Sequence, residues 1–285
     1  MDISGKTKVV GLFGYPVEHS FSPAMHNAAF EHLGLDYCYV TFPVPPERVG
    51  DAVNAVRALS LGGVNVTVPH KEKVIPFLDE VSEEASFIGA VNTITNNGGR
   101  LTGYNTDGRG FMQSFAEAGI RAQDKKVLIL GAGGASRAVG YYLCKEASAV
   151  YLHDLDAGKA GSLVHHLNAL RGNALFADGS AVKNNEFFSG IDIVINATPL
   201  GLKPDDPLPV DIALINRKQV VCDLIYRETA LLREASGVGC KTLDGLGMLL
   251  WQGAFAFELW TGVVPPVEVM KKALALSRST KTAGK

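Results

Sequence analysis

Short apolar runs rich in β-branched residues alternate with amphipathic stretches along almost the whole chain. In the first part, two helices are predicted over 22–33, with Ser22 as N-cap, and over 46–59. Period-two and buried patterns predict strands over 8–13, 36–42, 63–68, 91–95 and 100–103. The last two strands flank Asn96-Asn97-Gly98-Gly99, which is a tight-turn sequence, so the sheet is expected to be mixed.

The same alternation continues in the second part of the chain. A helix over 107–118 is followed by Val127-Leu128-Ile129-Leu130, an entirely apolar run typical of a buried parallel strand. Further strands are predicted over 149–153, 174–176, 191–196 and 219–223, and further helices over 135–145, 157–170, 248–260 and 265–276. The predicted fold class is therefore α/β, with a mixed α/β domain and a Rossmann-like, doubly wound parallel sheet.

Length and composition narrow the class of protein. A chain of 285 residues is long enough for about two domains. Hydrophobic residues make up 47% and charged residues 20%, which excludes global disorder. The net charge of −2 lacks the basic excess that nucleic-acid or acidic-membrane binding requires, so a small-molecule partner is expected.

Cysteine and histidine usage indicates a reducing compartment and no catalytic metal. The four cysteines form no Cys-x-x-Cys pair, and the chain begins without a signal-peptide pattern and contains no run long enough to span a membrane. A cytoplasmic location is therefore expected. The seven histidines include no His-Glu-x-x-His motif, so no catalytic metal is expected.

A glycine-rich turn lies between the apolar run and the next helix. Gly131 permits a tight turn, and Gly133 allows a pyrophosphate to approach the backbone N–H groups of the helix. The third position of the motif is Ser136, another small residue. Asp154 lies about 20 residues further on, where an acidic residue meets the adenosine ribose in dinucleotide-binding domains. A helix N-cap is the alternative role for Asp154.

Asp154 also bears on the choice of nicotinamide cofactor. Its carboxylate would accept a hydrogen bond from a free ribose 2′-hydroxyl and would repel a 2′-phosphate, which predicts NAD. Lys159 and Arg137 are close in sequence and could hold a phosphate, so NADP stays open.

Polar residues follow the predicted strands of the first domain. Ser20 and Ser22 come after the first strand, and Lys71 comes after the third. A lysine and an aspartate among hydroxyl and amide groups would suit a polyhydroxylated carboxylate, with one group moving a proton at a carbonyl. The alternatives are structural: Ser22 and Asp107 are good helix caps, and Lys71 could be a solvated lysine.

Seven motifs together resemble the shikimate dehydrogenase family, in order and spacing, from about Gly11 to Gly262. They are Ser20-Phe21-Ser22-Pro23-Ala24-Met25-His26-Asn27, Asn65-Val66-Thr67-Val68-Pro69-His70-Lys71, Gly89-Ala90-Val91-Asn92-Thr93, Asn105-Thr106-Asp107-Gly108, Gly131-Ala132-Gly133-Gly134-Ala135, Asn196-Ala197-Thr198-Pro199, and Gly247-Met248-Leu249 with Gln252. The resemblance implies a substrate-binding domain over 1–106 and 246–285 and an NAD(P)-binding Rossmann domain over 107–245. It implies reversible reduction of 3-dehydroshikimate to shikimate in chorismate and aromatic amino-acid biosynthesis.

The resemblance also implies roles at matching positions. Lys71 would be the catalytic acid/base and Asp107 its partner. The substrate-binding residues would be Ser20, Ser22, Asn65, Thr67, Lys71, Asn92, Asp107, Tyr226 and Gln252. The residues binding NADP or NAD would be Gly131, Ala132, Gly133, Gly134, Ala135, Asp154, Lys159, Thr198 and Gly245. A monomer and a homodimer both stay open.

Two segments depart from the family pattern. Asp154-Leu155-Asp156 stands where the family usually has Asn-Arg-Thr, which resembles the NAD-using quinate/shikimate dehydrogenase branch. The segment 223–229 is shorter than the family's loop and lacks its proline, which leaves the placement of Tyr226 open.

Three other functions stay open at this point. One is an NAD-dependent dehydrogenase of quinate catabolism, and another is a non-enzymatic dinucleotide sensor. A methylene-tetrahydrofolate dehydrogenase type would call for aromatic surfaces to stack on a pterin, in place of Ser20, Ser22, Asn65 and Asn92.

Overall fold

The computed structural model describes residues 2–283, which divide into two compact units. The first unit takes in the chain up to Thr106 and again from Leu250 onward, and the second is Asp107–Leu249. The second boundary falls inside one continuous helix, Leu246–Thr261. Each unit is built around its own six-stranded sheet.

The first unit contains a mixed sheet with helices. Its strands are β1 (Lys8–Gly14), β2 (Tyr37–Pro43), β3 (Gly63–Val66), β4 (Glu80–Val81), β5 (Thr93–Asn97) and β6 (Arg100–Tyr104). Its helices are α1 (Ser22–His32), α2 (Val49–Ala58), α3 (Glu83–Ile88), most of α9 (Leu246–Thr261) and α10 (Val267–Ala283).

The order of strands in this sheet is β2-β1-β3-β5-β6-β4. Strand β1 pairs in parallel with β2 and with β3, whereas β5 is antiparallel to both β3 and β6. The β5–β6 loop has only two residues, Gly98 and Gly99, both with positive φ, which is the backbone that such a turn requires. The prediction of a mixed sheet is confirmed.

The core of the first unit explains the apolar pattern. Val53 and Val56 of α2 pack with Val64, Val66 and Ile94 of the sheet, and none of the five is more than 1% exposed. Burial of this set stabilises the sheet at about 25 cal/mol per Å² of apolar surface removed from water.

Several predicted boundaries in this unit were wrong. The N-cap of α1 is Phe21, and Ser22 is already the first helical residue. The helix predicted over 46–59 begins as a 3₁₀ turn, Pro46–Arg48, before α2. Strand β3 ends at Val66, so Val68 is exposed instead of continuing the buried face.

The second unit is a parallel sheet flanked by helices. Its strands are β7 (Lys126–Leu130), β8 (Ala149–His153), β9 (Ala174–Phe176), β10 (Ile193–Asn196), β11 (Val220–Asp223) and β12 (Lys241–Leu243). Its helices are α4 (Asp107–Glu117), α5 (Gly134–Glu146), α6 (Ala157–Arg171), α7 (Asn185–Ser189) and α8 (Ala230–Val238), with the first turn of α9.

The strands of this sheet are ordered β12-β11-β10-β7-β8-β9, and every pairing is parallel. The order reverses between β7 and β10, which are the first strands of the two halves, as in doubly wound dinucleotide-binding sheets. The Rossmann-like prediction is confirmed. Over residues 2–283, no helix combines the length and apolarity needed to cross a membrane.

Candidate active-site residues

In the first unit, the chain leaves β1 and β3 at the same edge of the sheet. Strand β1 lies between β2 and β3. The loops after β1 and after β3 therefore start next to each other and then separate. In open α/β sheets, ligands bind beyond the carboxyl ends of strands where the order switches in this way. Ser20 and Ser22 follow β1, and Thr67 and Lys71 follow β3.

The two serines are joined by one hydrogen bond. The Ser22 backbone N–H donates to Ser20 Oγ over 3.2 Å. Ser22 is 7% exposed, and its hydroxyl is hydrogen-bonded to that of Tyr39. Because Ser22 is not the N-cap of α1, its hydroxyl is available for this side-chain contact instead of capping the helix.

Tyr39 links the serines to Asn65, and sequence reasoning missed it. Its hydroxyl donates to Asn65 Oδ1 over 2.9 Å, and burial holds the pKa of the phenol well above its usual range. The side-chain amide of Asn65 donates in turn to Thr93 Oγ1 (3.1 Å) and to the Asn92 carbonyl (3.2 Å). Tyr39 lies within an apolar strand pattern, which predicts only a buried strand residue. The sequence therefore gives no sign that its hydroxyl takes part in the site.

Asn92 is the centre of a second cluster of amides and hydroxyls. Its Oδ1 accepts from the Thr106 backbone N–H (2.8 Å) and the Thr93 hydroxyl (3.0 Å). Its Nδ2 donates to Thr106 Oγ1 (2.9 Å) and to Gln252 Oε1 (3.4 Å). Thr106 also donates to the Gln252 carbonyl, so this cluster joins the β5–β6 hairpin to α9. Thr106 and Thr93 were absent from the predicted site residues.

We call Ser22, Tyr39, Asn65, Asn92, Thr93, Thr106 and Gln252 the polar network of the first unit. Five of the seven are less than 8% exposed and belong to the buried polar residues of the chain. Tyr39 is also buried, at 2% exposure, and only Gln252 is partly exposed. Buried amides and hydroxyls cost free energy unless they are hydrogen-bonded, and here they bond to one another.

Thr67 and Lys71 lie just beyond β3. The Thr67 N–H donates to the Phe13 carbonyl at 2.8 Å, and the Lys71 carbonyl accepts from the Val91 N–H at 2.8 Å. These backbone bonds tie the segment to the ends of β1 and to the residues before β5. Lys71 is half-buried, while its neighbour Lys73 is exposed. Half-burial distinguishes Lys71 from an ordinary solvated lysine.

In the second unit, the glycine-rich turn follows β7 at the point where the strand order reverses. Gly131 has φ +102°, and a Cβ atom there would lie 2.9 Å from the Ala197 carbonyl oxygen, so only glycine fits. Gly133 is the N-cap of α5, and a Cβ atom on Gly133 or Gly134 would meet no atom within 4 Å. The first N–H groups of α5, at this same end of the helix, have no intrahelical acceptors.

Asp154 is joined to this turn. Its Oδ2 accepts from the Ala132 N–H over 2.8 Å, and its Oδ1 accepts from the Asp156 N–H over 2.9 Å. Asp156, not Asp154, is the N-cap of α6, with its carboxylate accepting from the Lys159 N–H. The N-cap alternative for Asp154 was therefore wrong. Lys159 Nζ lies 3.8 Å from Asp156, and Leu155 is 95% exposed.

Thr198 follows β10, next to the glycine-rich turn. Asn196 fixes it: Asn196 Oδ1 accepts from the Thr198 hydroxyl (2.6 Å) and backbone N–H (3.1 Å). A Cβ atom on Gly131 would lie 3.2 Å from the Thr198 methyl carbon. Ala132, Ala135 and Thr198 are thus brought together with Gly131 at one edge of the parallel sheet.

Tyr226 and Gly245 are neighbours after β11 and β12. The Gly245 N–H donates to the Ile225 carbonyl, and a Cβ atom on Gly245 would lie 2.9 Å from Tyr226 Cδ1. Asp223 anchors the start of this segment by accepting from the Thr229 hydroxyl over 2.7 Å, and burial raises the pKa of its carboxyl. Asp107 is the first residue of α4 and is 7% exposed.

These residues fit a bound dinucleotide. The open space at Gly133 and Gly134 leaves room for a pyrophosphate at the N-terminus of α5, and Asp154 stands at the end of the neighbouring strand. Residues 2–283 contain no group of three or more His, Cys, Asp or Glu side chains that could hold a metal. Fold and site residues together define an α/β oxidoreductase that uses a nicotinamide dinucleotide.

Comparison with known proteins agrees with this class. The model of the shikimate dehydrogenase substrate binding domain matches residues 12–94, and that of the shikimate 5'-dehydrogenase C-terminal domain matches residues 245–275. Shikimate dehydrogenase (NADP(+)) of Desulforamulus reducens is 47% identical over 281 residues, covering 95% of this chain and 96% of the relative.

Solved structures give the same result. A shikimate dehydrogenase in complex with NADP+ has a TM-score of 0.90 at 44% identity, with 96% of each chain covered. The shikimate 5-dehydrogenase of Listeria monocytogenes, in complex with shikimate and NAD, has a TM-score of 0.88 at 37% identity, covering 96% of this chain and 98% of that one. The chain belongs to the shikimate dehydrogenase family.

Proposed function

We propose that this chain catalyses the reversible reduction of 3-dehydroshikimate to shikimate. The observation that carries the proposal is the polar network of the first unit, which places hydroxyls and amides at one sheet edge with a half-buried lysine. Such groups match a substrate with several ring hydroxyls and one carboxylate. The full-length similarity to shikimate dehydrogenases supports the same reaction.

Lys71 is the acid/base of the reaction. The residues of the glycine-rich turn would hold the dinucleotide, which when bound would supply the hydride for the carbonyl carbon and accept it in the reverse direction. As negative charge develops on the carbonyl oxygen, the Lys71 ammonium donates a proton to it and stabilises it beforehand by its charge. Oxidation of the hydroxyl runs through the same positions, with neutral Lys71 accepting the proton. Asp107 is its partner in this proposal.

The remaining substrate contacts divide by chemistry. Ser20 and Ser22 bind the carboxylate, with Tyr226 on the same side. Asn65, Thr67, Asn92, Asp107 and Gln252 hold the ring hydroxyls. Since Asn65 and Asn92 each hold several bonds within the network, their side-chain amides are fixed in direction before the substrate arrives. The first unit is in this proposal the substrate-binding domain, and the second is the NAD(P)-binding domain.

NAD is the preferred cofactor. Gly131, Ala132, Gly133, Gly134 and Ala135 hold the pyrophosphate, and Asp154 accepts from the ribose. Thr198 also binds the cofactor, and Gly245 contacts the nicotinamide. A 2′-phosphate would meet the carboxylates of Asp154 and Asp156, with exposed Leu155 offering no charge. Lys159 is held against Asp156, which reduces what it offers a phosphate.

A two-by-two steady-state assay tests the function and the cofactor together. Shikimate and quinate are each oxidised with NAD and with NADP, and kcat/KM is compared. We expect shikimate with NAD to give the highest value, with NADP lower by about tenfold or more, the scale of one lost charge-assisted contact. The Leu155→Arg variant, which restores a cation, should narrow that ratio.

Each outcome has a distinct meaning. Higher kcat/KM with quinate would overturn the assignment of substrate and favour a catabolic enzyme. A preference for NADP would overturn the role given to Asp154 while leaving the reaction intact. An absence of turnover with either substrate and both cofactors would contradict the proposed function and favour a dinucleotide sensor.

A further inference from the structure

The first turn of α4 packs closely on α5. Gly108 is the second residue of α4, directly after Asp107, and it is buried. A Cβ atom at Gly108 would lie 2.4 Å from the Ala138 carbonyl oxygen of α5 and 2.6 Å from Cδ2 of the Tyr142 ring. Non-bonded carbon and oxygen atoms keep ~3.3 Å or more apart. Only glycine therefore allows the two helices to come this close.

This contact lies between two parts of the proposed active site, both in the second unit. On one side of it is Asp107, the proposed partner of Lys71. On the other side, Ala138 comes four residues after Gly134, the first residue of α5. Four residues of helix rise ~6 Å, so the contact is close to the glycine-rich turn. The contact between α4 and α5 therefore sets how far Asp107 lies from the N-terminus of α5.

The rest of α4 is held in the core of the second unit. Phe111 and Phe115, further along the helix, are each 1% exposed, and the centroids of their rings are 4.3 Å apart. A closely packed interior has no space for an added methyl group, so the backbone must shift to accommodate one. At position 108, the first turn of α4 would have to move by about 1 Å, and Asp107 would move with it.

We propose that Gly108 is a positioning residue, whose missing side chain sets the distance between the Asp107 carboxylate and a dinucleotide bound at α5. The inference rests on the proposed function, in which Asp107 is the partner of Lys71 and holds a ring hydroxyl. A misplacement of about 1 Å at a reacting group can lower the rate by about 100-fold. Gly108 therefore acts on the reaction through Asp107.

The Gly108→Ala variant tests this proposal. We expect kcat/KM for shikimate oxidation to fall by about tenfold or more, because Asp107 is displaced. The Kd of NADH, measured by its fluorescence, should stay unchanged, since the glycine-rich turn keeps its sequence. The melting temperature should fall, because the added methyl group has no room.

A double-mutant cycle shows whether Gly108 acts through Asp107. In an Asp107→Ala background there is no carboxylate to displace, so Gly108→Ala should change kcat/KM by less than about twofold. A purely structural role would give the same fold loss in both backgrounds. Gly140→Ala is the matched control, because it adds a methyl group to α5 on the side of α6, 2.8 Å from Leu167 Cδ1. It should leave kcat/KM unchanged.

Tyr142→Ala provides a second test that does not depend on the folding of Gly108→Ala. It removes the ring that lies against Gly108 and loosens the first turn of α4 without adding atoms. We expect kcat/KM to fall by about threefold or more, with unchanged binding of NADH.

Four results would each overturn the proposal. They are an unchanged kcat/KM in Gly108→Ala or, where that variant does not fold, in Tyr142→Ala; the same fold loss in the Asp107→Ala background; an equal loss in Gly140→Ala; and weaker NADH binding in Gly108→Ala. An unsubstituted chain without turnover would instead contradict the proposed function, and this inference with it.

Discussion

The two units present different chemistry at the carboxyl edges of their sheets. In the first unit, the edge is a network of side chains that are hydrogen-bonded to one another. Asn92 by itself bonds to three of them, Thr93, Thr106 and Gln252. In the second, the edge is mostly backbone, with open space at Gly133 and Gly134. A ring with several hydroxyls needs donors and acceptors at fixed angles, whereas a pyrophosphate needs room and N–H groups. Substitutions should therefore act differently in the two units.

The largest effect is expected at Lys71. Lys71→Ala should lower kcat by about 100-fold or more with a smaller change in KM, because it removes a proton donor used only as charge develops on the carbonyl oxygen. Steady-state kinetics measure both values. Lys73→Ala is the matched control, since Lys73 is exposed two residues away. A near-normal kcat in Lys71→Ala would contradict the role given to Lys71.

A smaller effect, confined to binding, is expected at Gly133. Gly133→Asp introduces a good helix N-cap into open space, so it should not lower the melting temperature. Its carboxylate would occupy the pyrophosphate position and repel it, so NADH should bind about tenfold more weakly or worse. NADH fluorescence titration and thermal unfolding measure the two quantities.

Gly131→Ala, in the same turn, should lower stability where Gly133→Asp should not. The positive φ and the contact with Ala197 should make it cost about 1–3 kcal/mol of unfolding free energy. Unchanged NADH binding in Gly133→Asp would mean that the pyrophosphate does not lie at Gly133. An unchanged stability in Gly131→Ala would mean that the turn does not require glycine at position 131.

The smallest effect concerns stability and His26 in the first unit. His26 is fully buried, stacks on Tyr39 at 4.5 Å, and makes no hydrogen bond from either ring nitrogen to any residue of 2–283. Burial lowers its pKa to about 3, below the value of about 6.5 in the unfolded chain. The unfolded state alone binds this proton between those values, so stability falls as pH falls through this window.

Denaturant unfolding at two pH values measures this term. Between pH ~7.5 and ~5, the His26 contribution amounts to about 2 kcal/mol of unfolding free energy, and His26→Phe should remove it. His32→Phe, an exposed position on the same helix, should retain the pH dependence of the unsubstituted chain. An identical pH dependence in His26→Phe would show that the buried ring takes up its proton without unfolding.

Sequence patterns predicted the sheet edge of the second unit better than that of the first. Gly131, Gly133 and Asp154 belong to a local motif whose spacing follows from backbone geometry, so the turn and its place after β7 could be predicted. Tyr39, Thr93 and Thr106 could not, because their hydrogen-bond partners lie on other strands and on α9. Short elements such as β4, α3 and α7 were also missed, since a few residues carry too little periodicity.

The contrast between the two edges can be tested directly by ¹H–¹⁵N NMR with shikimate and NAD+ added separately. We expect shikimate to cause its largest shifts at the side-chain amides of Asn65, Asn92 and Gln252. NAD+ should cause its largest shifts at the backbone amides of Gly133, Gly134 and Ala135. Side-chain amides that stay unmoved by shikimate, or glycine amides that stay unmoved by NAD+, would contradict the account.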